Sequence, residues 1–102
     1  MVFIMVTSKY PNHKIDEVTK LFTEKKVPEL ADFVKLINIF FPADFNTRSY
    51  ALYEAPNDKL YDAMISISTR YDGYRNIEGF KYKIEPLATV QEVLPMIGLG
   101  KK

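Results

Sequence analysis

The chain has 102 residues, 47% of them apolar and 26% charged, proportions that fit one globular domain. Fourteen basic against thirteen acidic residues leave a net charge of +1, too small a field to gather nucleic acid or an acidic membrane surface over distance. With no cysteine, a disulfide framework, a thiolate nucleophile and a sulfur-ligated zinc site are excluded.

A chain of this size can hide roughly 60–70% of its unfolded surface, enough for one two-layer core. Any pocket is therefore small or shared between subunits. The opening M-V-F-I-M-V-T carries no basic leader, and its apolar run is too short for a signal peptide or a membrane span. The expectation is a cytoplasmic protein without membrane contact, one domain over 1–102.

In chain order, Val2 to Val6 is a five-residue apolar run bounded by Ser8, Lys9 and Pro11, which predicts a strand covered on both faces. Asn12 can cap a helix whose apolar positions Ile15, Val18, Leu21 and Phe22 follow helical spacing, with Asp16 and Glu17 in the first turn. That helix should end near Lys26, because Pro28 disfavours helical geometry at Val27. Phe33 to Glu54 then reads as a hairpin around which the other elements are arranged. Its runs F-V-K-L-I-N-I-F-F and R-S-Y-A-L-Y-E are joined by the turn residues Pro42, Asp44 and Asn46.

Asn57 or Asp58 can start a second helix, in which Leu60, Ala63, Met64, Ile67 and Tyr71 form a single apolar stripe. Gly73 falls just past its end, where a left-handed cap is expected. Phe80, Tyr82 and Ile84 alternate with Lys81, Lys83 and Glu85, as in a strand at a sheet edge with one solvated face. Thr89 and Glu92 have capping-box spacing at the start of a short helical tail over about 88–100, which Pro95 limits to a turn or two.

The order βαββαβ predicts an α+β fold of the ferredoxin-like kind: a four-stranded antiparallel sheet with two helices on one face. Val2, Ile4 and Val6 should point to the helices and leave Phe3 and Met5 on the open face. An exposed apolar patch of that size calls for a partner, and a second copy packed on the open face is the simplest one. The expected partners are thus a homodimer and a small apolar ligand.

A face-to-face pair of such sheets is the dimeric α/β-barrel arrangement, and the chain resembles that superfamily over essentially its whole length. Y-P-N-H-K at Tyr10 to Lys14, N-I-E-G-F-K-Y-K-I-E at Asn76 to Glu85 and the tail Val90 to Leu99 are similar to small archaeal-type members. Relatives with known roles include cofactor-free monooxygenases, haem-binding degraders, isomerases and ligand-sensing regulators. The resemblance implies a small apolar or aromatic molecule bound between sheet and helices, with cofactor-free oxygenation or isomerisation as the chemistry if there is turnover. The axial ligand of the haem degraders has no counterpart here, so no cofactor is expected.

The residues expected to act on such a molecule are His13, the only imidazole, at the handover from first strand to first helix, Asn38, a lone amide in L-I-N-I-F-F, and Tyr53. Tyr53 shares the parity of Ala51, a small residue that leaves room beneath a helix. Tyr10, Arg70 and Tyr74 are the expected ligand-binding residues, whereas Tyr71 continues the buried stripe. The structural alternatives are an exposed loop histidine and an asparagine satisfied by backbone at a bulge. One histidine without cysteines or a local carboxylate pair makes a poor metal site, so none is expected.

R-S-Y-A-L-Y-E and V-F-I also resemble the third- and first-strand signatures of RNA-recognition motifs. Ser49 stands where that pattern has glycine, Leu52 replaces a stacking aromatic, and the basic surface is lacking. Nucleic acid is the less favoured expectation.

Overall fold

The computed structural model describes residues 1–42, 48–96 and 98. Its element order is β1 (Val2–Lys9), α1 (Ile15–Thr23), β2 (Lys35–Phe40), β3 (Arg48–Ala55), α2 (Leu60–Asp72), β4 (Lys81–Leu87) and α3 (Val90–Met96). Single 3-10 turns, Asn12–Lys14 and Asn57–Lys59, lead into α1 and α2. The expected six elements are therefore extended by α3 into an α+β chain with four antiparallel strands in the order β2-β3-β1-β4.

Side-chain alternation decides which face of the sheet is covered. Ile4, Val6 and Ser8 of β1 and Ala51, Tyr53 and Ala55 of β3 are all buried, while the residues between them are half exposed. Against that face α2 places Ala63, Ile67 and Tyr71, and α1 packs Val18 and Leu21. The α2 stripe read from the sequence is a surface in contact, whereas of the expected α1 stripe Val18 and Leu21 pack and Ile15 and Phe22 stay exposed. This burial is the main favourable contribution to the fold. Phe3 and Met5 lie on the opposite face, as their parity requires.

The sheet is not centred on the β2–β3 hairpin, however. Its inner pair is β3–β1, with β2 and β4 at the edges. Apart from Ile39, β2 is exposed along its length, and its register against β3 slips between Leu36 and Asn38. The hairpin's turn residues Asp44 and Asn46 lie outside the described residues. At the other edge β4 carries the exposed Lys81, Lys83 and Glu85 and admits Pro86, which an edge strand tolerates.

Two expected caps differ from what the backbone does. Asn12, Asn57 and Asp58 lie within 3-10 turns, and neither helix has a side-chain cap at its start. Gly73 is not left-handed, with φ −64° and ψ −14°, and the chain runs on in tight turns through Ile77. It is small because a Cβ there would meet Val27 Cγ1 at 2.9 Å and Pro28 Cδ at 3.0 Å. The left-handed glycine of this segment is Gly79, at φ +85°, where an added Cβ would come within 2.6 Å of Pro11. The capping box is formed: Thr89 N–H donates to Glu92 Oε1 at 2.7 Å, and Glu92 N–H donates to Thr89 Oγ1 at 3.3 Å.

Candidate ligand cleft

At the Lys9 end of the covered face the inward stripes change character. Where β1 continues Ile4 and Val6 with a third inward residue, that residue is Ser8. Its cross-strand partner on the inward stripe of β3 is Ser49. The two hydroxyls lie 2.8 Å apart and share one hydrogen bond. Beside them Ala51 and Ile39 carry the floor across to β2, and α1 overhangs with Val18, Thr19 and Phe22. Between helix and sheet this leaves a cleft of about 190 Å³.

The remaining wall is aromatic and comes from the segment between α2 and β4. Tyr74 stacks on Phe80 with centroids 4.8 Å apart and planes 13° from parallel. Phe80 in turn lies 5.9 Å from Tyr10, with planes 4° from parallel. Tight turns from Arg70 to Phe80 hold these rings in place, and Gly79 allows the chain to turn against Pro11. Phe22 and Phe41 border the opening and are both exposed, Phe41 at 68%.

Behind this wall the tyrosines form a neutral network. Tyr53 and Tyr71 hydroxyls are 2.9 Å apart, with their rings edge to face. Burial raises the Tyr71 phenol far above its ordinary range, and its proximity to Tyr53 raises it further. Tyr53 and Tyr74 are also raised, chiefly by burial, while the positive charge of Arg70 opposes the shift in all three. These phenols keep their protons at neutral pH and act as hydrogen-bonding groups, not as bases.

The six expected site residues divide between locations. Tyr10 and Tyr74 line the cleft. Tyr53 is buried on the predicted face but sits behind Tyr71, which itself reaches the cleft. Arg70, half-buried, donates to the Pro28 carbonyl at 3.0 Å, lies over the Phe22 ring and keeps its charge close to Tyr53. His13 is exposed in the first 3-10 turn. Asn38 is exposed on the opposite sheet face, level with Leu52, and its Oδ1 accepts the Ile39 N–H at 2.8 Å beside the register slip. Among the described residues His13, Asn38 and Tyr53 are therefore not brought together at the cleft, and the bulge accounts for the asparagine.

Ser8 and Ser49 were not singled out by the sequence reading. The signal was a polar residue at inward parity on two strands that later prove to be neighbours. Among the described residues no group of three or more His, Asp or Glu side chains could hold a metal ion, and no helix is long and apolar enough to cross a membrane. The cleft can hold an uncharged molecule by stacking, burial and a few hydroxyl contacts. Comparison with known proteins returns no matching family model, no matching curated protein and no matching solved structure.

Proposed function

We propose that the protein is a binding module of the ferredoxin-like, dimeric α/β-barrel kind that takes a small apolar or aromatic molecule in the cleft between α1 and the sheet. The observation that carries this reading is the stacked ladder Tyr10–Phe80–Tyr74 facing an apolar floor with one hydroxyl pair. An apolar hollow with a few convergent polar groups is the usual form of a small-molecule site. Binding without turnover is better supported than oxygenation or isomerisation, because the three residues expected to perform chemistry are dispersed. Thr19→Trp, at an exposed helix position overlooking the cleft, should plug it without disturbing the core. A small aromatic that raises the Tm of the parent protein should then have no effect on the variant. An equal rise in both would place binding elsewhere.

The homodimer is supported by the open face, where Phe3, Met5, Tyr50 and Leu52 are half exposed and Phe40 is 46% exposed. Its charges are self-complementary about a two-fold axis lying across the strands. Lys83 on one row of cross-strand neighbours would then oppose Glu85 of the partner subunit on the next. Sedimentation equilibrium should return twice the 11.8 kDa chain mass. Lys83→Glu should weaken the dimer, and Lys83→Glu with Glu85→Lys should restore it.

A second reading rests on the same face. Phe3 and Tyr50 lie on it with Lys9, which pairs across the strands with Arg48 and Lys81, an arrangement that suits stacking and phosphate contacts with single-stranded RNA. One face cannot serve both partners. A monomer that binds oligonucleotides with steep salt dependence would favour RNA over the dimer.

A further inference from the structure

Resting on the reading of the cleft as a binding site, we infer that its ligand is an uncharged single-ring aromatic bearing one hydroxyl or carbonyl, seated with that substituent on the Ser8–Ser49 hydroxyl pair. Size sets the first limit. An apolar cavity of about 150 Å³ accommodates one benzene, so 190 Å³ seats one ring with one or two small substituents. Shape sets the second, since the near-parallel rings of Tyr10, Phe80 and Tyr74 offer a flat wall that fits a planar molecule better than a branched aliphatic one.

Charge sets the third limit. None of the described residues lining the cleft carries a formal charge, and the nearby guanidinium of Arg70 is turned toward the Pro28 carbonyl. An ammonium entering this space would lose its hydration without gaining an opposite charge, and a carboxylate would find the nearest cation, Arg70, already engaged by the Pro28 carbonyl and the Phe22 ring. The tyrosine hydroxyls cannot substitute for one, because their burial keeps them neutral.

The polar substituent follows from counting protons. Two serine hydroxyls bring two donors, and the bond between them uses one. The pair therefore retains one donor and several lone pairs, on a residue, Ser8, that is only 4% exposed. A ligand hydroxyl or carbonyl placed there completes the set. A plain hydrocarbon would bury the remaining donor without a partner.

Titration calorimetry with p-cresol, toluene, 4-methylbenzoate and benzylammonium at neutral pH separates these limits. The expected order puts p-cresol first, about fivefold tighter than toluene, the worth of one net hydrogen bond. The two ions should bind roughly tenfold or more weakly than p-cresol. Replacing both serines, Ser8→Ala with Ser49→Ala, should bring p-cresol down to the level of toluene and leave toluene within about twofold of its parent value, since removing both partners strands neither. Far-UV circular dichroism checks that this variant folds, and if it does not, the order of p-cresol over toluene in the parent protein decides alone. Toluene matching p-cresol, with no effect of the serine changes, would overturn the inference while leaving the cleft a binding site. Preference for 4-methylbenzoate or benzylammonium would overturn it as well. Failure of all four probes to bind would remove the underlying reading too.

Discussion

Around Ile4 and Ala55, the covered face is closed: those two residues, with Ala63 and Ile67 of α2, have no solvent access at all. Around Ser8 and Ser49, on the same strands and the same face, it opens into the cleft. Both regions are built from the same alternation of the same strands, so the difference lies in side-chain size and in what the helices bring. α2 meets the first region with small and branched residues that interlock. At the second, Ser8, Ser49 and Ala51 are too small to reach α1, which rests on the half-buried Val18 and Leu21. A tightly packed end fixes the geometry of a looser one, the arrangement a binding site needs.

This contrast is most sharply tested by deleting apolar bulk at each end. Ile67→Ala should destabilise the protein by about 2–5 kcal/mol, the cost of emptying a fully packed site. Val18→Ala, beside existing free space, should lose no more than about 1 kcal/mol. Denaturant titration gives both values, and similar losses would mean that the two ends are equally packed.

The buried tyrosines behind the cleft wall predict an alkaline limit. Below about pH 10 these phenols are protonated in both folded and unfolded chains, and stability should not respond to them. Above that pH the unfolded chain releases the protons while folded Tyr53 and Tyr71, raised by burial, hold theirs. Stability should then fall by about 1.4 kcal/mol per pH unit for each such tyrosine. The part of the tyrosinate absorbance due to these two residues, read as the difference between the parent protein and a variant with Tyr53→Phe and Tyr71→Phe, should rise together with loss of helical circular dichroism. A rise in that difference that precedes unfolding would show these hydroxyls to be accessible.

Adding bulk probes the same contrast in the opposite sense. Ala63→Val should cost about 1–3 kcal/mol by overpacking a closed site. Ala51→Val, whose methyls enter the cleft, should be close to neutral for folding but should weaken binding of a small aromatic.

The sequence carried the covered face well, because parity alone assigns Ile4, Val6, Ala51 and Tyr53 inward, and the stripe from Leu60 to Tyr71 assigns α2. The capping box of Thr89 and Glu92 was legible for the same local reason. The cleft was less legible, since it depends on Ser8 meeting Ser49 forty-one residues later, a register that no local pattern reveals. Tyr10 and Tyr74 were found as candidates, but Phe80 was read only as a strand residue, and its stacking between them is a product of the turn at Gly79. Asn38 looks out of place in the sequence because it is a lone amide in the apolar run L-I-N-I-F-F. At an exposed edge with a bulge, an amide bonded to the next backbone N–H needs no further explanation.

The smallest expected effect concerns α1, the more loosely held of the two main helices and the one that roofs the cleft. The helix ends with Lys25 in the left-handed region, at φ 54°, and Lys26 N–H reaches back to the Leu21 carbonyl at 3.0 Å. This closing turn commonly places glycine where Lys25 stands, because a Cβ in that conformation is strained. Lys25→Gly relieves the strain but gives the unfolded chain more freedom, so the two effects partly offset. A net gain of about 0.5 kcal/mol is expected. Hydrogen exchange should show it as slower opening of the Lys20 to Phe22 turn with no change around Ile67. The position also separates roof from floor: a gain confined to α1 that tightens aromatic binding would mean that helix fraying limits the site, whereas unchanged affinity would leave that role to the strands and the aromatic wall.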